Sequence, residues 1–254
     1  MAVSVTELTE YLNDLLDLKI FAGDHSNNGL QVEACAKVKK AVFSVDASLE
    51  LFEKAADQKA DFVFVHHGIS WGSDPKRFDG LVGKRLSVLF RNQISFYAVH
   101  LPLDAHPKLG HNARLADMIE LKKRKKFFVY DGNPIGVSGT LSSPQSATVL
   151  AGIFEKELDC KAVIFNDAKK VSSVGIISGC GGLDGVLAAY AEKLDCLVTG
   201  EIGHSCYHHI KETGLPVITL GHYCSEKPGV LAVMEKIEDK FDLDCEFIDI
   251  PTGM

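Results

Sequence analysis

The feature that most constrains the fold is an alternation of short, continuous apolar runs with segments of helical periodicity. Runs and helical segments follow one another as KAVFSV at 40–45, a helix near 48–59, DFVFV at 61–65, a helix near 80–92, ISFYAV at 94–99 and a helix from about 112. Continuous apolar strands separated by helices are typical of sheets that helices cover on both faces. The pattern therefore predicts an α/β protein built from mixed sheets.

The second half of the chain repeats this pattern. The segment KKAVFSVDASLELFEKAADQKADFVFVHHG can be laid over VSSVGIISGCGGLDGVLAAYAEKLDCLVTGEIG, strand over strand and helix over helix, with Asp61 on Asp195. Apolar strands match easily by chance, so this overlay alone is weak. Taken with the polar matches below, it favours an internal duplication. We predict two α/β units, 1–125 and 126–254.

The polar matches are a histidine and a carboxylate at one spacing in both halves. HLPLD at 100–104 lies over HYCSE at 222–226, so each half has an apolar strand followed by His-x-x-x-carboxylate. The paired histidines that end DFVFV fall on Gly200 and Glu201 of the second half. These matches carry chemistry that packing alone does not require.

The segment between the halves contains the basic run KKRKK at 122–126, followed by FFVYDGNPIGVSGTLSSP. A basic run of this length is more often a solvated turn or helix end than a nucleic-acid patch. The Gly, Pro and Ser content of the next stretch predicts a domain junction or an edge hairpin.

Composition excludes several classes of protein. The chain is 46% hydrophobic and 24% charged, which is typical of a folded, soluble protein, and its net charge of −7 disfavours binding to nucleic acid. No run approaches the roughly 18 apolar residues of a membrane span, and the start lacks a secretion signal. We expect a cytoplasmic protein. Its seven cysteines include no CxxC pair, which disfavours a disulfide framework or a thiolate zinc site.

Several histidines and carboxylates fall where strands of an α/β sheet end, the place where such folds gather reactive groups. They are His66, His67, His100, Asp104, His222 and Glu226. A single histidine there is more often structural, but a set of this size favours metal binding. Adjacent strand residues point to opposite faces, so His66 and His67 can serve one site only where the strand breaks, as Gly68 indicates.

Imidazole and carboxylate without cysteine form a ligand set for zinc, iron, manganese or nickel. The set is larger than one catalytic ion needs, so we predict two divalent ions per subunit in a hydrolytic centre.

Six further segments span nearly the whole chain, in the order NNGLQV, VHHGISWG, HLPLDAHPKLGHN, ISGCGG, TGEIGH and GHYCSE. Together they resemble the Nif-three-like family, whose members are also known as GTP cyclohydrolase I type 2 homologues. The resemblance implies a duplicated α/β fold with a dinuclear metal site between the two halves. The implied ligands are His66, His67, Asp104, His222 and Glu226.

The resemblance leaves two further residues beside the ligands. His100 becomes a residue that supports a ligand or faces the substrate, because the aspartate of its segment is the implied ligand. Glu201, which overlies His67 in the repeat, is a candidate general base or a residue that orients a ligand histidine. The resemblance also implies assembly into a ring-shaped homohexamer, so the expected protein partner of the chain is further copies of itself.

Two classes of function follow from this interpretation. The first is a metal-dependent hydrolase of the cyclohydrolase type that acts on a small, nucleotide-like substrate. The second is a metal-binding hexameric assembly or regulatory protein without significant turnover. A phosphoesterase or peptidase is a third alternative, since dinuclear centres also serve those reactions. Open coordination positions and a saturable substrate favour an enzyme, whereas full coordination by protein groups favours the second class.

Two other segments have both a functional and a structural interpretation. SGCGGLDG at 178–185 follows a strand and opens a helix, so it is either a phosphate-binding turn or simply a tight turn. His204 and His208 share one face of a predicted helix, where they either contact substrate or are merely exposed.

Overall fold

A computed structural model describes residues 2–72, 77–167 and 170–254. The strands in these ranges are β1 Val3–Ser4, β2 Gly29–Val32, β3 Lys37–Val38, β4 Lys40–Asp46, β5 Phe62–His67, β6 Ser95–Ala98, β7 Lys122–Tyr130, β8 Asn133–Gln145, β9 Val163–Phe165, β10 Val171–Cys180, β11 Cys196–Glu201, β12 Val217–Thr219 and β13 Asp244–Phe247. The α-helices are α1 Val5–Leu15, α2 Leu49–Asp57, α3 Gly80–Arg91, α4 Leu101–Asp104, α5 His111–Met118, α6 Ala147–Leu158, α7 Gly182–Ala191, α8 Tyr207–Thr213 and α9 His222–Phe241. Among these helices, none is long and apolar enough to cross a membrane.

The chain divides into two compact units. The first contains the residues up to Leu103 together with Val230–Ile250, and the second contains Asp104–Gly229 with Pro251–Met254. This division differs from the predicted segments 1–125 and 126–254. The C-terminal strand is the reason for part of the difference, because β13 pairs in parallel with β4 and so returns the chain to the first unit.

The first unit is built on a five-stranded sheet in the order β13-β4-β5-β6-β2. The first four strands run parallel, and β2 is antiparallel to β6. Its central strands are buried along their length, as expected for apolar runs covered on both faces. The rings of Phe43, Phe64 and Tyr97 pack against one another across the three central strands, with centroids 5.3 and 5.7 Å apart.

The second unit is built on a six-stranded sheet in the order β7-β8-β10-β11-β12-β9. β10, β11 and β12 are parallel, while β8 and β9 run antiparallel to the strands beside them. One buried cluster includes Phe154 of α6 and Val198 of β11, and another includes Val186 of α7 and Ile210 of α8. Helices therefore supply the apolar partners of this sheet as well.

The two units share one topology, which confirms the predicted duplication. In each, a helix and an edge strand precede a strand-helix-strand-helix-strand series, and the order β4-β5-β6-β2 corresponds to β10-β11-β12-β9. The overlay of Asp61 on Asp195 extends to side-chain contacts. Asp61 accepts hydrogen bonds from the backbone of Lys39 and Lys40 at 2.7 and 3.1 Å. Asp195 accepts two, both of 2.9 Å, from the backbone of 172 and 173.

The basic run at 122–126 forms part of strand β7, so the expectation of a turn or helix end was wrong. β7 and β8 form a hairpin around Asp131 and Gly132, and β7 is one of the two edge strands of the sheet. Pairing with β8 overrides the local preference of the lysines, whose side chains remain exposed. Lysines on an edge strand also hinder pairing with other chains. The alternative of an edge hairpin in the following stretch is confirmed.

Candidate metal-binding residues

The two adjacent histidines of the first unit lie at the very end of β5. Strand pairing continues through them, since Asp46 pairs with His67, and the chain turns at Gly68. His66 is fully buried, His67 is partly exposed, and their ring centroids are 4.5 Å apart. A Cβ atom at position 68 would lie 2.5 Å from the Gln31 amide and 2.6 Å from the Cβ of Ala98, so this turn requires glycine.

His100 joins this pair from the end of β6. Ligand nitrogens of His66, His67 and His100 all lie within 4.8 Å of one another. The His100 ring centroid is 5.2 Å from that of His66 and 5.7 Å from that of His67. Three imidazoles at this spacing could hold one metal ion. The structure thus places His100 among possible ligands.

Each of these three rings is held through the same atom. Nδ1 of His66 donates to the Val99 carbonyl at 2.8 Å. Nδ1 of His67 donates to Asp46 Oδ1 at 2.7 Å, and Nδ1 of His100 donates to Asp24 Oδ1 at 2.9 Å. A neutral imidazole that carries its proton on Nδ1 has its lone pair on Nε2. Nε2 is therefore the nitrogen that could bind a metal ion in all three rings. Partners of this kind are typical of metal-binding histidines.

Asp24 is the central anchor of this arrangement. Its carboxylate also accepts hydrogen bonds from the Ser26 backbone, the Asn28 amide and the Leu101 backbone, at 2.9 to 3.0 Å. Burial raises the pKa of Asp24, but the hydrogen bond and charge of His100, with the bonds from Asn28 and Ser26, outweigh that effect and lower the pKa to about 2. Asp24 stays ionised at any physiological pH and fixes the orientation of His100.

In the second unit, His222 lies at the start of α9 beside two carboxylates. Its Nδ1 donates to Glu201 Oε1 at 3.0 Å, and its Nε2 lies 3.3 Å from Glu226 Oε1. The hydrogen bond with Glu226 raises the pKa of His222 to about 9, assisted by the charges of Glu226 and Glu201 and opposed by burial. His222 and Glu226 therefore present adjacent donor atoms, while Glu201 orients the ring.

The close approach of Gly179 completes this end of the second sheet. Gly179 has a φ of +61°, and a Cβ atom there would collide with the Glu226 carboxylate and lie 3.2 Å from Nε2 of His222. Its backbone N–H donates to Ser225 Oγ at 2.9 Å. The predicted glycine-rich turn thus makes room for the side chains of His222 and Glu226. In the same segment, α7 begins at Gly182.

Asp104 is buried in the second unit and is fixed by its neighbours. Its Oδ1 accepts a hydrogen bond of 2.9 Å from the Ser178 hydroxyl, and its backbone carbonyl accepts one of 3.3 Å from the Asn112 amide. Asn112 in turn accepts from the backbone of Ser178 at 2.6 Å. These contacts tie the last residue of α4 to the end of β10.

His111 lies close to Asp104, but its ring proton is on the opposite nitrogen from that of His66, His67 and His100. A ligand nitrogen of His111 is within 4.8 Å of the Asp104 carboxylate. However, its Nδ1 accepts a hydrogen bond of 3.1 Å from the backbone of Gly229, so a neutral ring carries its proton on Nε2. This tautomer offers a donor at Nε2, whereas a metal ligand needs a lone pair. We therefore interpret His111 as a hydrogen-bond donor beside Asp104 rather than as a ligand.

Sequence reasoning did not single out Asp24, Asp46 or His111. Asp46 directly follows the apolar run KAVFSV, so the strand-end rule that selected the histidines could have found it. Asp24 lies in an irregular segment, and only the tertiary contact with His100 reveals its role. The nearby NNGLQV segment contributes as well, since Asn28 Oδ1 accepts from the His100 backbone at 2.7 Å. His204 and His208 are exposed, and a contact of either with substrate stays a prediction.

The fold and these donor groups define a duplicated α/β protein with histidine and carboxylate clusters that could hold a divalent metal ion. The chain belongs to the Duf34/NIF3 (NGG1p interacting factor 3) family, whose model matches residues 3–253. The resemblance inferred from the sequence segments is thereby confirmed. The dinuclear metal site expected between the two halves stays a prediction.

Known relatives match the chain over nearly its full length. A protein of Archaeoglobus fulgidus named GTP cyclohydrolase 1 type 2 homolog is 39% identical, covering 99% of this chain and 100% of the relative. The crystal structure of TTHA1606 from Thermus thermophilus is 36% identical with a TM-score of 0.88, covering 99% and 100% of the two chains. The structure of protein ybgI, described as of unknown function, is 34% identical with a TM-score of 0.90 and the same coverage.

Proposed function

We propose that the protein binds two divalent metal ions per chain and uses them to hydrolyse a small, nucleotide-like substrate. The observation that carries the proposal is the shared anchoring of His66, His67, His100 and His222 through Nδ1. Each donates Nδ1–H to a carbonyl or carboxylate oxygen, so Nε2 is the nitrogen left to bind an ion. In His222 an ion would displace the proton that the raised pKa keeps on Nε2. Rings fixed in this way in the protein fold need little reorganisation on metal binding.

The proposed ligands are His66, His67, Asp104, His222 and Glu226, with His100 as an additional imidazole. Nitrogen and oxygen donors of this kind suit zinc, iron, manganese and nickel. Bound ions of this class lower the pKa of coordinated water and polarise the substrate atom under attack. The chain itself supplies the fixed rings, the buried Asp104 and the surrounding hydrogen bonds.

Glu201 has two proposed tasks. Its hydrogen bond keeps the proton of His222 on Nδ1, which is an orienting role. Its side chain is 39% exposed, which leaves it accessible to a substrate or solvent proton as a general base. A Glu201→Gln variant retains a hydrogen-bonding oxygen but cannot accept a proton, so its turnover at a metal concentration that saturates the protein isolates the second task from the first.

The substrate class rests on the names of the relatives. The Archaeoglobus protein and others at 34–38% identity are named GTP cyclohydrolase 1 type 2 homologs. Those names support a nucleotide as the first substrate to test. Assembly into a homohexamer, expected from the sequence resemblance, stays a prediction that light scattering on the purified protein would test.

The test is a hydrolysis assay on metal-loaded and chelator-treated protein. GTP, other nucleotides and simple phosphoesters are incubated with each form, and products are separated by chromatography. We expect turnover only in the metal-loaded form and a loss of at least about tenfold in Glu201→Gln. Full metal content without turnover on any of these compounds would contradict the hydrolase and favour the metal-binding assembly.

A further inference from the structure

Trp71 is an exposed aromatic side chain beside the three histidines of the first unit. It is the single tryptophan of the chain, and 44% of its surface is exposed. Its ring centroid lies 5.1 Å from that of His100 in an edge-to-face arrangement and 6.2 Å from that of His67. Burial of a tryptophan side chain removes more apolar area from water than burial of most other residues. An exposed tryptophan ring held beside polar groups therefore indicates a binding surface.

The ring is held in place by its own polar atom and by its backbone. Nε1 donates to the Gly68 carbonyl at 2.9 Å, and residue 71 forms an isolated antiparallel bridge with Ser26. The neighbouring Gly72 donates to the His25 carbonyl at 2.6 Å. These bonds restrict the ring before any ligand arrives, which reduces the entropy cost of binding.

The preceding residues are anchored just as firmly. Gln31 Oε1 accepts hydrogen bonds from the backbone of Ile69 at 2.9 Å and of Ser70 at 3.1 Å. Asn27 donates from its side chain to Ser70 Oγ at 2.7 Å. The turn that carries Trp71 is therefore fixed to the segment 27–31. Such a turn is a platform with a defined position relative to the imidazoles.

We infer that Trp71 is a stacking platform for the planar heteroaromatic ring of a ligand whose reacting group lies at the histidine cluster. A tryptophan face attracts flat π-systems largely irrespective of their hydrogen-bonding groups, as in base stacking by single-stranded nucleic-acid binders. An aliphatic ligand would gain only ordinary apolar contact there. The inference rests on the proposed function for the reaction at the histidines, and it adds the recognition of a flat ring such as a nucleobase.

The fluorescence of Trp71 offers a direct readout, because the chain has no other tryptophan. The full-length, metal-loaded protein is titrated with GMP, AMP and nicotinamide mononucleotide, and with ribose 5-phosphate as a ligand without an aromatic ring. We expect saturable quenching by at least one of the three aromatic compounds and none by ribose 5-phosphate. Absence of saturable quenching by all three aromatic compounds would overturn the inference, as would equal quenching by ribose 5-phosphate.

Variants then separate stacking from a structural role. Affinity for the best compound is measured by equilibrium dialysis in Trp71→Leu, in Trp71→Tyr and in Tyr190→Leu, whose exposed ring lies on α7 of the second unit. We expect at least about tenfold weaker binding in Trp71→Leu, partial recovery in Trp71→Tyr and no change in Tyr190→Leu. Equal affinity of Trp71→Leu and wild type would contradict the platform.

Metal content keeps this test distinct from the proposed function. We expect Trp71→Leu to bind as much metal as wild type, since Trp71 supplies no ligand atom. If wild type still contains no metal after reconstitution, the proposed function is refuted. If Trp71→Leu has normal metal content and binds the ligand as tightly as wild type, only the platform is refuted. Loss of metal in Trp71→Leu would show that the ring supports the histidines, and this outcome too would overturn the stacking role.

Discussion

The same topology presents different donors in the two units. The equivalent strands are β5 in the first unit, which ends in His67, and β11 in the second, which ends in Glu201. The residue paired with that strand end is Asp46 in the first unit and Cys180 in the second. The carboxylate that holds an imidazole thus lies at the end of β4 in the first unit, as Asp46, and at the end of β11 in the second, as Glu201. The duplicated scaffold preserves positions at the strand ends, while the chemistry at each position has diverged.

The divergence also changes the charge of the two donor sets. The first unit offers three imidazoles, and the second offers one imidazole with carboxylates. Equivalent scaffold contacts such as those of Asp61 and Asp195 show that the sheets themselves remain alike. Mutations at equivalent positions should therefore act alike on stability but differently on metal binding.

The largest expected effect is loss of metal from a single ligand substitution in either unit. His67→Ala and Glu226→Ala each remove a proposed ligand atom, so we expect each to lose most of its bound metal while circular dichroism shows an intact fold. His209→Ala, an exposed histidine of α8, is the matched control and should keep its metal. Elemental analysis provides the measurement, and unchanged metal content in both ligand variants would refute the proposed ligand set.

A smaller effect is expected for the residues that hold the imidazoles. Asp24→Asn and Glu201→Gln weaken the Nδ1 contacts of His100 and His222, and we expect metal affinity to fall by roughly 10- to 100-fold. The loss should be greater for Asp24→Asn, because Asp24 is the more buried carboxylate. Competition with a chelating dye measures both affinities. A dissociation constant equal to that of wild type in both variants would mean that these carboxylates do not orient ligands.

A matched pair of substitutions tests the equivalence of the scaffolds. Asp61→Ala and Asp195→Ala each leave two backbone N–H groups without their acceptor, and we expect each to lower the free energy of unfolding by about 1–2 kcal/mol. Urea denaturation of metal-free protein provides the measurement, since bound metal would add its own stabilisation. A loss in one variant only would break the comparison between the units.

Substitution of two of the cysteines is expected to leave the metal content of the protein unchanged. Burial raises the pKa of Cys160 to about 11 and that of Cys245 to about 12, so both thiols stay protonated at neutral pH and are poor ligands. Cys160→Ser and Cys245→Ser should retain the metal content of wild type. A clear loss in either would show that a thiol contributes to metal binding.

The element order and the duplication were predictable from the sequence because buried parallel strands leave a strong apolar signal. The strand-end rule also located His66, His67, His100 and His222. Sequence reasoning placed a break at the paired histidines, but cross-strand pairing with Asp46 extends β5 to His67. The last residues of a strand can thus bring two rings together without an earlier break.

Long-range contacts explain what the sequence did not reveal. Asp24 becomes an anchor only because the chain returns 76 residues later to place His100 against it. The basic run of β7 has no strand propensity, and its structure comes from pairing with β8. The division into units likewise depends on β13, which joins a sheet formed much earlier in the chain.

The most direct test of the central claim is the metal content of wild type beside His66→Ala/His67→Ala. Both proteins are purified without chelators or a metal-binding tag, and ions per chain are counted by elemental analysis. The account predicts about two ions in wild type and their loss in the double variant. Wild type that stays empty after reconstitution with zinc, manganese, iron or nickel would contradict it and leave these histidines as structural residues.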